Sequence, residues 1–164
     1  MNELTPSQKG AAAEAEIAAA VIRLRLGVLR PLGEGWRYDL AIDIGEKLLR
    51  IQCKWASRNG DVIDARCVTN RHTPHGYKRT TYKADEIDAI AAYSPDTDRC
   101  YLLPVDEIVG RTMISLRIAP TRNNQARHVR WAKDYELERA IKRYWDGRPT
   151  LPTSTDNPRS RAIR

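Results

Sequence analysis

The chain has 164 residues, 41% of them hydrophobic and 30% charged, which is enough for one domain around a buried core and too apolar for a disordered chain. A net charge of +7 favours a polyanionic partner over an acidic or neutral one. Cys53, Cys67 and Cys100 are odd in number and too scattered for a disulfide framework or a zinc site, and no apolar run or leader points to a membrane, so a cytoplasmic protein is expected.

Thr5-Pro6 opens a helix, with a hydroxyl at the N-cap and proline at the first helical position. Alanine-rich sequence carries it to about Leu26, with Gly27 as its stop. Ile17, Val21 and Leu24 recur at the spacing of a buried stripe, and Glu14 lies on that same stripe. A carboxylate on a core-facing side needs a partner, unless it sits at the edge and reaches water. Val28-Leu29 reads as a short strand broken at Pro31, followed by a loop through Trp36.

Arg37 to Trp55 is the informative stretch. Tyr38, Leu40 and Ile42 alternate with Asp39, Ala41 and Asp43; then Leu49, Ile51, Cys53 and Trp55 alternate with Leu48, Arg50, Gln52 and Lys54. Gly45 in the break between them predicts a hairpin, which sets Asp39, Gln52 and Lys54 side by side. An acid, an amide oxygen and an ammonium group together can hold a metal ion and a phosphate. Asp43, two steps along, reads as a strand-end surface residue.

A third strand is expected over Val62 to Val68, after the turn signal Arg58-Asn59-Gly60. From Asn70 to Lys83, cations and aromatics interleave: Arg71, His72, His75, Tyr77, Lys78, Arg79, Tyr82 and Lys83. Pro74 and Gly76 predict a long loop, and its composition suits phosphate contacts with stacking or groove insertion. His72 and His75 make no convincing metal pair. Strands are expected at Ile87 to Tyr93, Cys100 to Val105 and Met113 to Ile118, with a helical turn at Asp106-Glu107-Ile108. Thr121 to Arg130 forms a second basic loop holding Arg122, Asn123, Asn124, Gln125 and Arg127, whose amides can meet base edges. Asp134 to Trp145 reads as an amphipathic helix. Residues 1–147 would form the domain and 148–164, rich in Pro, Ser, Thr and Arg, a flexible basic tail.

This order of features resembles the PD-(D/E)XK nuclease superfamily, and within it the group I intron-associated, homing-type endonucleases. The resemblance runs through Lys9-Gly10 with Glu14, Tyr38-Asp39-Leu40, and Arg50-Ile51-Gln52-Cys53-Lys54. It continues through Asp88 to Tyr93, Tyr101 to Val105, Asn123-Asn124-Gln125, and Arg130-Trp131-Ala132 ahead of Asp134 to Leu137. It implies an α/β (α+β) restriction-endonuclease-like core, a central mixed β-sheet flanked by helices, whose N-terminal helix precedes a hairpin carrying the active site. By the same resemblance Asp39 is a metal-binding acid, Gln52 a second ligand or water-positioning group, Lys54 the catalytic lysine and Glu14 the helix-borne acid. Mg²⁺, with Mn²⁺ able to substitute, suits such oxygen ligands. The chain departs from the superfamily's name at Gln52, where an acid is expected, and at Tyr38, where proline is. The amide removes one negative charge, which Glu14 would replace. The implied function is a Mg²⁺-dependent endonuclease on double-stranded DNA, acting as a homo-oligomer, a dimer or a tetramer. A resolvase of Holliday junctions and a non-cleaving DNA-binding module are the alternatives.

Overall fold

The computed structural model describes residues 3–121 and 127–145, with only the backbone described at Arg71, His72, Tyr144 and Trp145. The predicted tail and the amides and arginine at Arg122, Asn123, Asn124 and Gln125 lie outside the described residues.

Helix α1 (Pro6–Arg23) begins as the sequence dictates: the Thr5 hydroxyl accepts the Gln8 N–H at 3.3 Å, and the Gln8 side chain accepts the Thr5 N–H at 2.9 Å. It stops earlier than expected. The left-handed residue after it is Arg25, at φ 62°, and Gly27 already belongs to β1 (Gly27–Leu29). Strands β2 (Leu40–Asp43) and β3 (Leu48–Trp55) form the predicted hairpin, turning at Gly45 (φ 91°), where the Asp43 carboxylate accepts the Gly45 N–H at 2.7 Å. Short β4 (Ser57–Asn59) and β5 (Val62–Arg66) follow.

The stretch expected to be a long loop is instead a hairpin, β6 (Val68–Thr73) and β7 (Gly76–Thr81), with Thr73 paired to Gly76. Pro74 and Gly76 serve its turn and do not interrupt its strands. The predicted third strand therefore ends at Arg66, and Val68 opens the new one. Then come β8 (Ala89–Ser94), β9 (Arg99–Pro104), the single turn α2 (Val105–Ile108), β10 (Met113–Arg117) and α3 (Leu137–Trp145). Asp134 lies in a 3₁₀ turn (Ala132–Asp134), so the last helix starts later than predicted.

The central sheet has the order β1-β2-β3-β8-β9, parallel only between β3 and β8, which makes it mixed. Ala13, Ile17 and Val21 of α1 and Leu137, Ala140 and Ile141 of α3 pack on one face, against Leu40, Ile42, Leu49, Ile51 and Cys53. The other face carries Ile90, Ala92 and Leu103 against Ile63, Ala65, Ile114 and Leu116 of a second sheet, β10-β5-β4. Tyr38 breaks the predicted alternation: it precedes β2 and packs with this second core, opposite Leu40 and Ile42. All three cysteines are free thiols, as expected. No helix among the described residues is long and apolar enough to cross a membrane.

Asp88 ties the parallel pair together, accepting the Arg50 backbone N–H at 2.8 Å and Arg50 Nε at 3.0 Å. Burial alone would raise its carboxyl, but the Arg50 hydrogen bonds hold it below the usual 3.8. Its stabilisation is present above that ordinary value and is lost as pH falls through the lower folded one. Asp88→Ala should therefore cost about 1.5–3 kcal/mol at neutral pH and progressively less in acid, as read from denaturation midpoints across pH.

Candidate active site

Strand β2 ends its pairing at Leu40–Ile51, so the half of β3 from Gln52 to Trp55 has no β2 partner. Asp39 lies at this notch. Its backbone N–H still reaches the Ile51 carbonyl at 2.9 Å, while its side chain replaces the missing strand: Oδ2 accepts the Cys53 N–H at 2.7 Å and Nε2 of Gln52. The ladder itself thus aims the carboxylate. The Gln52 amide reaches the Asp39 carboxylate, so the two residues expected side by side do meet, and Lys54 follows two residues further along β3.

Glu14 enters from α1, between the buried Ala13 and Ile17, and is half-buried. Its Oε2 meets Arg30 at 2.6 Å, just past β1. Burial raises the Glu14 carboxyl, and the nearby Asp39 raises it further against the pull of Arg30. Asp39 is likewise raised by burial, despite the Cys53 N–H, Lys54, Arg30 and Gln52. The four predicted residues Glu14, Asp39, Gln52 and Lys54 are therefore brought together, with Arg30 as a fifth that sequence spacing did not reveal.

Lys54 is half-buried and makes no hydrogen bond or ion pair among the described residues. Its ammonium sits 5.5 Å from the centroid of the buried Tyr82 ring, over which Arg37 also lies at 4.8 Å. Burial lowers the Lys54 pKa, Asp39 pulls it back up, and the like-charged Arg37 lowers it. Arg37 is fixed by Glu86 at 3.0 Å and the Thr81 carbonyl at 3.2 Å. Tyr82 and Arg37 are thus neighbours of the site that sequence reasoning missed. In the sequence Tyr82 is one aromatic of a basic segment, and nothing local links it to Lys54.

The donor set fits a hard divalent cation. Among the described residues, Asp39 Oδ1 and Glu14 Oε1 accept no hydrogen bond, and two half-buried like charges share the notch. No cluster of three or more His, Cys, Asp or Glu exists among the described residues. Two carboxylates and an amide oxygen are the oxygen donors that hard divalent cations prefer.

Of the predicted nucleic-acid contacts, His75, Tyr77, Lys78 and Arg79 lie exposed on the β6–β7 hairpin and Lys83 just after it; Arg71 is placed opposite Lys78 by register. Arg127 is exposed on the turn preceding Arg130, with no contact to Glu14, Asp39, Gln52 or Lys54 among the described residues.

Among solved structures, the bacterial homing endonuclease I-Ssp6803I superposes with a TM-score of 0.69 over 90% of this chain and 100% of that one, at 22% sequence identity. Among curated proteins, none matches the sequence. The profile of the PD-(D/E)XK endonuclease family matches residues 4–138, a span containing α1, the notch and all four site residues. The chain belongs to the PD-(D/E)XK endonuclease family.

Proposed function

We propose that the chain hydrolyses phosphodiester bonds in double-stranded DNA, dependent on Mg²⁺ or Mn²⁺, in the manner of a homing endonuclease. The observation that carries this is the notch itself: two carboxylates with uncommitted oxygens, an amide and an ammonium outside any direct ion pair meet where β2 stops. Asp39 and Glu14 would hold the ion, with Gln52 offering its amide oxygen. When bound, such an ion polarises the phosphoryl group and lowers the pKa of an attacking water.

The chain's own residues do the rest. The Cys53 N–H and Gln52 fix the orientation of Asp39, so its free oxygen keeps one direction. Lys54, with all its N–H donors available, stabilises charge developing on the phosphate or orients the water. Arg30 balances Glu14 while no ion is bound and is free to meet a phosphate afterwards. Cutting both antiparallel strands is done most simply by symmetry-related copies, hence a homo-oligomer.

The amide at Gln52 supports one other reading, a non-cleaving DNA-binding module. Incubating the chain with a plasmid library of random targets, with Mg²⁺, with Mn²⁺ and with chelator, separates the two. Linear products that need the ion are expected. Salt-sensitive binding with no cutting anywhere in the library would favour the module.

The β6–β7 hairpin supplies the charge for the duplex. The triple variant Lys78→Ala, Arg79→Ala, Lys83→Ala should bind duplex DNA more weakly at every sequence. The slope of log K against log salt should become shallower by roughly 0.9 for each phosphate the variant no longer neutralises. Equal slopes for variant and wild type would move the DNA off this hairpin.

A further inference from the structure

We propose that the groove between the Trp36–Arg37 segment and the base of the β6–β7 hairpin seats the DNA backbone next to the phosphate to be cut, with the Trp36 indole packed on its sugar edge. The inference rests on the endonuclease reading and adds where the strand runs and which residue outside the basic segments grips it.

The groove holds about 600 Å³ and is lined by Trp36, Arg37, Thr69, Lys78, Thr80 and Lys83, among others. It adjoins the catalytic notch, since Arg37 and Lys54 both lie over the one Tyr82 ring. Its charge is one-sided. Glu86 is its acid, and that carboxylate is already taken by Arg37 at 3.0 Å and by the Lys83 backbone N–H at 3.1 Å. The ammonium groups of Lys78 and Lys83 have no carboxylate within ion-pair distance among the described residues. Two lysines outside any direct ion pair, beside threonine hydroxyls and the Asn70 amide, match a sugar–phosphate chain better than an apolar or cationic ligand.

Trp36 completes the argument. Its side chain is 61% exposed, although a ring of this size gains more than most by burial. Nor does it hang free: its centroid lies 5.9 Å from that of Tyr38, tilted by 49°, and Tyr38 packs into the core. The indole is thus propped at the groove's rim by an anchored neighbour. An apolar face held beside unpaired cations is how a surface grips sugar and base edges while the cations take phosphates.

The test uses the full chain and a short mixed-sequence duplex at low salt without divalent ions, so that binding is read apart from cleavage. Tryptophan emission of the wild type should change on adding duplex. In Trp36→Phe most of that change should vanish, although Trp55, Trp131 and Trp145 remain. Trp36→Ala should bind about five- to tenfold more weakly at an unchanged salt slope, with unaltered melting because the residue is exposed. Wild-type affinity in Trp36→Ala, with the emission change intact in Trp36→Phe, would overturn the inference alone. A wild-type chain that does not bind duplex at low salt would overturn the DNA reading and this inference with it.

Discussion

Replacing Lys54 by Met should slow DNA cleavage at saturating duplex by about 10²–10³-fold, with duplex affinity within a few-fold of wild type. The substitution keeps the apolar stem that packs in the half-buried position and removes only the ammonium. That group is held without a direct ion pair: Asp39 attracts it through space, the face of Tyr82 lies 5.5 Å away, and no acceptor among the described residues occupies its donors. A lysine paired to a carboxylate would have to break that pair before reaching phosphate. Here the π-face supplies orientation and leaves the N–H groups open. Tyr82→Phe, which keeps the face, should therefore cut at close to the wild-type rate. Tyr82→Leu should be about two- to thirtyfold slower. Single-turnover rates, taken together with melting curves, separate this from loss of folding. A Lys54→Met chain cutting as fast as wild type would remove Lys54 from the chemistry.

What the sequence disclosed of this arrangement was what a local period could encode. The β2–β3 hairpin follows its alternation, Gly45 sets its turn, and the Leu40–Ile51 pair at its end leaves the next residue, Asp39, within reach of Gln52. Glu14 stood out because its neighbours Ile17 and Val21 mark the buried stripe. Arg30 and Tyr82 could not be read in this way, since each reaches the site through packing of elements distant in sequence. The β6–β7 hairpin was missed for a different reason. Gly76 to Arg79 are all exposed, so no buried face imprints a two-residue period, and the turn residues Pro74 and Gly76 became the dominant signal. The helix end failed similarly: Arg25 adopts the left-handed conformation that Gly27 was expected to supply, because the chain must already be extended at Gly27 to pair with Asp43.

Asp39→Asn should have opposite effects on activity and stability. Cleavage should fall by at least about 10²-fold, while the ion-free chain should melt higher than wild type at neutral pH, by roughly 2–4 °C. The reason is the sign of the carboxyl shifts. Burial raises Asp39 above its usual 3.8, and burial with Asp39 beside it raises Glu14 above 4.5. A carboxyl that is harder to ionise in the folded chain than in the unfolded one opposes folding once it is charged. Stability of the ion-free chain should thus decline as pH rises from the unfolded values through the raised folded ones, and stay lower at neutrality. Asparagine keeps an oxygen for the Cys53 N–H and removes the charge. Below the unfolded pKa values both chains are neutral at this position, so their melting temperatures should converge there. Millimolar Mg²⁺ should close the gap from the other side, raising the wild type by binding the folded state and leaving Asp39→Asn unmoved. If Asp39→Asn melts well below wild type at neutral pH and Mg²⁺ shifts neither chain, the carboxylate is a structural substitute for the missing strand and not a metal ligand. If the predicted inversion holds, the notch has kept a destabilising pair of carboxylates that Arg30 and Lys54 offset only in part and a bound metal ion relieves further.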